Sequence, residues 1–106
     1  MLSPEQLQIN KIIESFKTDP LILTLSKITK SNLKYPKLNY FPIYHNLNGM
    51  VNLRLQKYNE AVLNFKSAIK LKKDFAEAHY NLGLAYFEKG ELALSYTNFL
   101  KAYEIR

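Results

Sequence analysis

The sequence predicts an all-α fold of antiparallel helix pairs, and three observations support that prediction. Helix-start and helix-stop signals run through all 106 residues, and no segment shows the alternation of a strand ladder. Apolar residues recur at spacings that place them on one face of a helix. The second half of the chain also repeats itself after 34 residues, which indicates stacked helical hairpins. A chain of this length is expected to form a single domain, residues 1–106.

The first helix pair is predicted over residues 4–36. Ser3 caps the first helix, and Gln6 stands three residues later, where its side chain can reach back to the cap. Pro20 begins the second helix, because the fixed φ of proline suits a first helical turn. Pro36 ends that helix, since the residue before a proline is driven out of the helical region.

Residues 35–42 are predicted to be a linker, with two prolines and three aromatic residues. Four further helices are predicted near residues 43–56, 58–71, 75–88 and 91–105. Asp74 and Glu77 have the spacing of a capping box at the start of the third of these helices. Gly90 lies in the last turn, where a tight helical hairpin needs a residue that tolerates positive φ.

The repeat divides this part of the chain into two units, residues 42–75 and 76–106. A shift of 34 residues superposes glycine, small and aromatic positions, where helix packing is most restrictive. The matched pairs are His45/His79, Gly49/Gly83, Asn64/Asn98, Phe65/Phe99 and Ala68/Ala102. We expect the two glycines to let the paired helix approach closely, and the two phenylalanines to fill the space between pairs.

These positions resemble the signature of the tetratricopeptide repeat (TPR). The second unit carries it in Ala76, Asn81, Leu82, Gly83, Tyr86, Gly90, Ser95, Phe99 and Ala102, and the first unit in Gly49, Tyr58, Ala61, Phe65 and Ala68. The chain departs from the pattern at His45 and His79, which occupy the tryptophan position, and residues 4–36 resemble a degenerate repeat. The resemblance implies a short right-handed solenoid that acts as a non-catalytic protein-interaction scaffold.

Composition excludes several functional classes. The sequence contains no cysteine, which excludes disulfides, thiolate zinc sites and a cysteine nucleophile. His45 and His79 have no carboxylate at ligand spacing, so we expect them to pack and not to bind metal. The sequence contains no Gly-x-Ser-x-Gly, P-loop, His-Glu-x-x-His or dinucleotide motif, so we predict neither an enzyme nor a cofactor.

Charge and hydropathy define the expected partners. The net charge is +6, but only two of the 15 basic residues are arginine, whereas nucleic-acid binders typically interleave arginine with exposed aromatic residues. We therefore expect a protein or peptide partner and no nucleic acid. The N-terminus lacks a secretory signal, and the longest apolar patch, near residues 21–25, is too short to span a membrane. The expected location is the cytoplasm.

The resemblance also implies where a partner binds, because the leading helices of stacked hairpins line a concave groove. By register, the groove-facing residues are Asn46, Leu47, Met50 and Arg54 from one leading helix and Tyr80, Asn81, Leu84 and Phe87 from the next. They are expected to form an apolar strip with two asparagine amides. Such a strip suits a peptide whose backbone bonds the amides while its apolar side chains pack alongside.

Two alternatives start from the final predicted helix, whose apolar face lacks the polar capping helix that repeat arrays usually need. In the first alternative, the chain is the N-terminal TPR region of a larger enzyme of the glycosyltransferase, sulfotransferase or hydroxylase type. Sequencing the gene beyond Arg106 tests this. In the second, the face pairs with itself and the domain is a structural homodimer, which light scattering tests.

Overall fold

The computed structural model describes residues 1–105, and Arg106, the last residue of the second predicted repeat, lies outside them. Within the described residues the chain forms six α-helices and one 3₁₀ helix, so the all-α prediction is confirmed. The helices are α1 (Pro4–Thr18), α2 (Leu21–Lys34), the 3₁₀ helix (Pro36–Tyr40), α3 (Pro42–Arg54), α4 (Tyr58–Leu71), α5 (Ala76–Glu88) and α6 (Leu92–Ile105).

The helices pack as three successive pairs, α1 with α2, α3 with α4 and α5 with α6. Each leading helix also contacts the next leading helix, because α1 touches α3 and α3 touches α5. The leading helices α1, α3 and α5 therefore lie side by side along one face of the stack. This face is called the inner side of the array. The domain measures 39 × 28 × 21 Å.

Glycine sets the spacing within the second and third pairs. A Cβ placed on Gly49 would lie 2.5 Å from Cε1 of Phe65, and one on Gly83 would lie 2.7 Å from Cδ1 of Phe99. Both distances are far shorter than an ordinary contact, so each aromatic ring lies directly on the backbone of the opposing helix. The Ser95 hydroxyl adds a bond to the Gly83 carbonyl oxygen at 2.9 Å. The expected role of the two glycines is thus confirmed.

The N-terminal pair packs through a polar contact. The hydroxyls of Ser15 and Thr24 lie 2.9 Å apart where α1 crosses α2, and both residues are buried. The apolar side of the same pair supplies Ile9, Ile12 and Ile28, which join residues of α3 in one core cluster. Residues 4–34 thus form a third stacked hairpin at the N-terminal end of the array.

The predicted linker is an ordered part of the core. Its 3₁₀ helix places Leu38 at 0% exposure within the N-terminal cluster. Just beyond it, the buried hydroxyl of Tyr44 donates to the carbonyl oxygen of Ile28 at 3.0 Å, which ties α3 to α2. Burial raises the pKa of the Tyr44 phenol. Prolines and aromatic residues in this segment therefore mark an anchored connection.

The local signals at helix ends gave mixed results. The Ser3 cap is confirmed, since its hydroxyl accepts from the Gln6 backbone N–H at 3.1 Å. The reciprocal half is wrong, because the Gln6 side chain bonds Asn10 instead. The capping box at Asp74 is also wrong: the cap position of α5 is Phe75, and no side-chain hydrogen bond is made there. The Phe75 side chain is buried, so the start of α5 has a buried apolar side chain in place of a polar cap.

The two repeats share a left-handed residue in the turn between their helices. Gly90 has φ +80°, as the sequence predicts, and Gln56 occupies the equivalent position of the first unit with φ +62°. An L-residue with a side chain is strained in this region of φ. The turn geometry is therefore conserved between the repeats even where the sequence provides no glycine.

Candidate functional site

The inner side of the array is the candidate site, and α5 carries exposed apolar side chains there. Tyr80 and Phe87 are 50% and 55% exposed, and Leu84 lies half-buried between them. Their spacings of four and three residues place all three side chains on one face of the helix. This strip of three side chains is called the α5 strip below.

The α3 residues of the predicted groove are less accessible than the register implies. Leu47 is 6% exposed and belongs to the N-terminal core cluster with Ile9 and Ile12. It supports the groove from within and offers no surface to a partner, which corrects the sequence-based assignment. Met50 is half-buried and packs against both the N-terminal cluster and the next cluster along the array.

The two predicted asparagines bond each other. Asn81 Nδ2 donates to Asn46 Oδ1 at 3.1 Å, and Asn46 Nδ2 lies 3.7 Å from the sulfur of Met50. Asn46 is 6% exposed, so its amide serves the contact between α3 and α5. Asn81 is half-buried and uses one N–H in this pair. Its amide oxygen and second N–H are the polar groups at the edge of the α5 strip.

Arg54 lies at one end of the inner side, where it joins α3 to α1. Its guanidinium lies 5.4 Å from the ring centroid of Phe16, the distance of a cation–π contact. Sequence reasoning missed Phe16 as a neighbour of the groove, although its position on the apolar face of α1 was a usable signal. The basic side chain of Arg54 is exposed beside this ring.

Tyr80 belongs to two surfaces. Its ring lies 5.4 Å from that of Phe99, and it lines a cavity of 460 Å³ with Phe99, Ala102 and Tyr103. The cavity lies between α5 and α6, whereas Leu84 and Phe87 are not among its lining residues. Tyr80 is therefore a border residue, and tests of the inner side depend on Leu84 and Phe87.

The charged groups of the N-terminal pair form a structural contact. Lys27 Nζ bonds the carboxylate of Asp19 at 2.5 Å, and the Ser15 hydroxyl donates to the same carboxylate at 2.7 Å. These bonds, the one from Lys27 above all, hold the pKa of Asp19 below its ordinary value of 3.8. They link the end of α1 to α2 across the shortest turn of the array.

The two histidines hydrogen-bond backbone carbonyl groups. His79 Nε2 donates to the carbonyl oxygen of Lys73 at 3.0 Å, and His45 Nε2 makes the equivalent bond to Asn39 at 2.8 Å. Each bond ties a leading helix to the segment six residues before it. Among residues 1–105, no group of three His, Cys, Asp or Glu side chains is placed to hold a metal ion.

Stacked antiparallel hairpins with glycine at the helix crossing and an inner side of leading helices define a helical-repeat protein. A family model described as TPR repeat matches residues 51–105, about half of the chain. The chain therefore belongs to the tetratricopeptide repeat family. No curated protein matches the sequence.

Solved structures share the fold at low identity. The second TPR of Spaghetti (RPAP3), bound to the HSP90 peptide SRMEEVD, is 19% identical with a TM-score of 0.84 over 96% of this chain and 92% of its own. The first TPR of Spaghetti (RPAP3), bound to the same peptide, is 20% identical with a TM-score of 0.85 over 96% of this chain and 79% of its own. MamA is 18% identical with a TM-score of 0.85, and the match covers 97% of this chain and 58% of MamA.

These matches confirm the predicted right-handed solenoid of stacked helix pairs. Because they cover nearly the whole chain, the N-terminal pair aligns together with the two recognised repeats. Each helix within residues 1–105 is too short or too polar to span a lipid bilayer.

Proposed function

We propose that the domain is a non-catalytic protein-interaction module that binds a peptide segment along the inner side of the array. The α5 strip is the observation that supports this most directly, because it exposes two aromatic rings on one helix face. Exposed aromatic side chains are preferred anchors at interfaces. Asn81, at the edge of the strip, provides the amide that bonds the peptide backbone.

The chemistry of the strip favours a peptide with apolar side chains. Helix α5 contains two glutamates, Glu77 and Glu88, and no lysine or arginine. RPAP3 holds an acidic HSP90 peptide on the same fold. An acidic peptide finds no basic partner on α5 of the present chain, so we expect SRMEEVD to bind it more weakly than an apolar peptide.

The test selects peptides from a displayed random library on the immobilised protein and measures their affinity by fluorescence anisotropy. The double variant Leu84→Ala with Phe87→Ala removes two anchors while leaving Tyr80 in place. Truncated interface anchors commonly cost about 1–2 kcal/mol each, so we expect the affinity to fall by at least about tenfold. Circular dichroism confirms that helicity is retained.

The matched control is Tyr40→Ala with Leu63→Ala, two side chains that are 76% and 65% exposed outside the α5 strip. This variant is expected to bind the selected peptides as the wild type does. Equal affinity in the α5-strip variant and the wild type rejects the groove. A selected acidic peptide whose binding needs Arg54 rejects the assigned peptide chemistry.

A further inference from the structure

Helix α6 carries an apolar seam that the described residues leave uncovered. Leu92, Tyr96, Phe99 and Tyr103 follow one another at spacings of four, three and four residues, the pattern with which two helices pair along their length. Leu92, Tyr96 and Tyr103 are 62%, 68% and 77% exposed. These four side chains are called the α6 seam below.

In the preceding repeat, the residues equivalent to the α6 seam are covered by the next helix. Its counterpart on α4, 34 residues earlier, consists of Tyr58, Val62, Phe65 and Ile69. Val62 and Phe65 are 7% and 0% exposed, because they share a core cluster with residues of α5. Each seam has an aromatic residue at its third position, yet only the α4 seam has a helix over it among residues 1–105. A contiguous exposed apolar helix face of this kind marks an interaction surface.

The other end of the array carries a basic cavity, unlike the α6 seam. A cavity of 230 Å³ on the α1–α2 pair is lined by Lys11, Lys27, Lys30 and Lys34, together with Gln8, Ser31 and Tyr35. None of the four seam side chains is a carboxylate that could pair with these ammonium groups. Head-to-tail stacking of two copies therefore gains no ion pair at this cavity.

The surface of α6, in contrast, can meet the same surface of a second copy without a net charge repulsion. Within α6 one lysine, Lys101, and one glutamate, Glu104, balance each other, although the whole chain carries +6. Two copies that meet at α6 therefore avoid the repulsion that other faces of this basic protein impose. Large and small residues also match: the buried Ala102 forms the floor of the 460 Å³ cavity beside Phe99 and Tyr103.

We propose that α6 is the interface of a homodimer, in which the α6 seam packs antiparallel against the same seam of a second copy. With a two-fold axis near Phe99, Tyr96 of one copy lies opposite the partner's Ala102, so that a ring fills the cavity above a small residue. Such an interface is isologous and closes at two copies. It covers Tyr80, which lines the cavity, but leaves Leu84 and Phe87 on the inner side free. The dimer is tested without any peptide, so its failure is distinguishable from failure of the proposed peptide function.

Sedimentation velocity of the full chain tests the dimer between about 5 and about 200 μM, a range in which a dimer with a micromolar Kd dissociates measurably. We expect the mass to rise towards twice the 12.4 kDa of the monomer. Tyr96→Glu and Tyr103→Glu, at exposed positions, are expected to remain folded and monomeric throughout this range. Tyr40→Glu and Leu63→Glu, equally exposed outside the seam, are expected to dimerise as the wild type does.

The cysteine-free sequence permits a second readout. A short bismaleimide is expected to cross-link Leu100→Cys, which lies beside the centre of the seam, and not Leu63→Cys. A monomeric wild type across the whole concentration range overturns the proposal. So does a dimer that survives Tyr96→Glu and Tyr103→Glu, or a mass that keeps growing beyond two copies.

Discussion

Gly49→Ala tests whether the glycine contact limits the spacing of the first full repeat. The new Cβ would lie 2.5, 2.7 and 2.8 Å from three ring atoms of Phe65, whereas ordinary contacts lie at 3.4–4 Å. The ring must therefore move by about 1 Å, but Phe65 is 0% exposed and enclosed by its core cluster. Overpacking of this kind costs about 1–3 kcal/mol, against which alanine regains about 1 kcal/mol of helix propensity.

These two effects give a net loss of about 0–2 kcal/mol in the free energy of unfolding. Because the enclosed ring has no room to shift, we expect Gly49→Ala to lie towards the upper end, measured by urea denaturation with circular dichroism. Gly83→Ala is the matched control, because its ring partner Phe99 is partly exposed and has room to shift. We expect that variant to lie within about 0.5 kcal/mol of the wild type, since the propensity gain offsets the smaller clash. Both are measured at low micromolar protein concentration.

A double-mutant cycle identifies the cause. Adding Phe65→Leu to Gly49→Ala removes ring atoms from the clash, so the two substitutions together are expected to cost less than the sum of the single losses. An additive cycle refutes the reasoning, because it would place the damage elsewhere than in the Gly49–Phe65 contact. Equal losses for Gly49→Ala and Gly83→Ala refute it as well.

Two further predictions concern a carboxylate and a turn. Because bonds from Lys27 lower the pKa of Asp19, the stabilisation from this carboxylate is present above pH 3.8 and is lost as the pH falls through the lowered value. The urea midpoints of wild type and Asp19→Asn are thus expected to differ at pH 7 and to converge in strong acid; a constant difference contradicts this origin. Gln56→Gly should raise the free energy of unfolding by about 0.5–1 kcal/mol by relieving a left-handed residue, and Gly90→Ala should lower it by about 1 kcal/mol. A Cβ at Gly90 would meet nothing within 4 Å, so a loss in Gly90→Ala would come from backbone strain and not from a clash. Changes of the opposite sign in denaturant unfolding contradict the strain argument.

The sequence predicted the parts of the fold that depend on close local packing. Glycine opposite phenylalanine has few packing solutions, so Gly49 and Phe65 identify a helix crossing from the sequence alone. The failures occurred where several partners compete for one group. Asp74 has the right spacing for a cap, but the burial of Phe75 decides how the chain enters α5. Leu38, within an apparent linker, is buried for the same tertiary reason.

The candidate site was less predictable than the fold. The helical register predicted that Asn46 and Asn81 lie on adjacent leading helices. The spacing of the residues alone does not predict that their two side-chain amides hydrogen-bond each other. Leu47 satisfies the groove pattern yet lies beneath the N-terminal pair, which the repeat signature barely covers. The α5 strip was predictable, because nothing in the described chain packs over Phe87, which remains 55% exposed.

Met50 has a consequence for how the domain unfolds. Its thioether side chain packs against both the N-terminal cluster and the cluster that joins α4 to α5. In a repeat array each unit is stabilised chiefly by its neighbours, so cooperativity depends on side chains of this kind. Methionine is flexible enough to keep both contacts while the two halves shift slightly relative to each other. A ligand that rests on Met50 would therefore stabilise both halves of the domain at once.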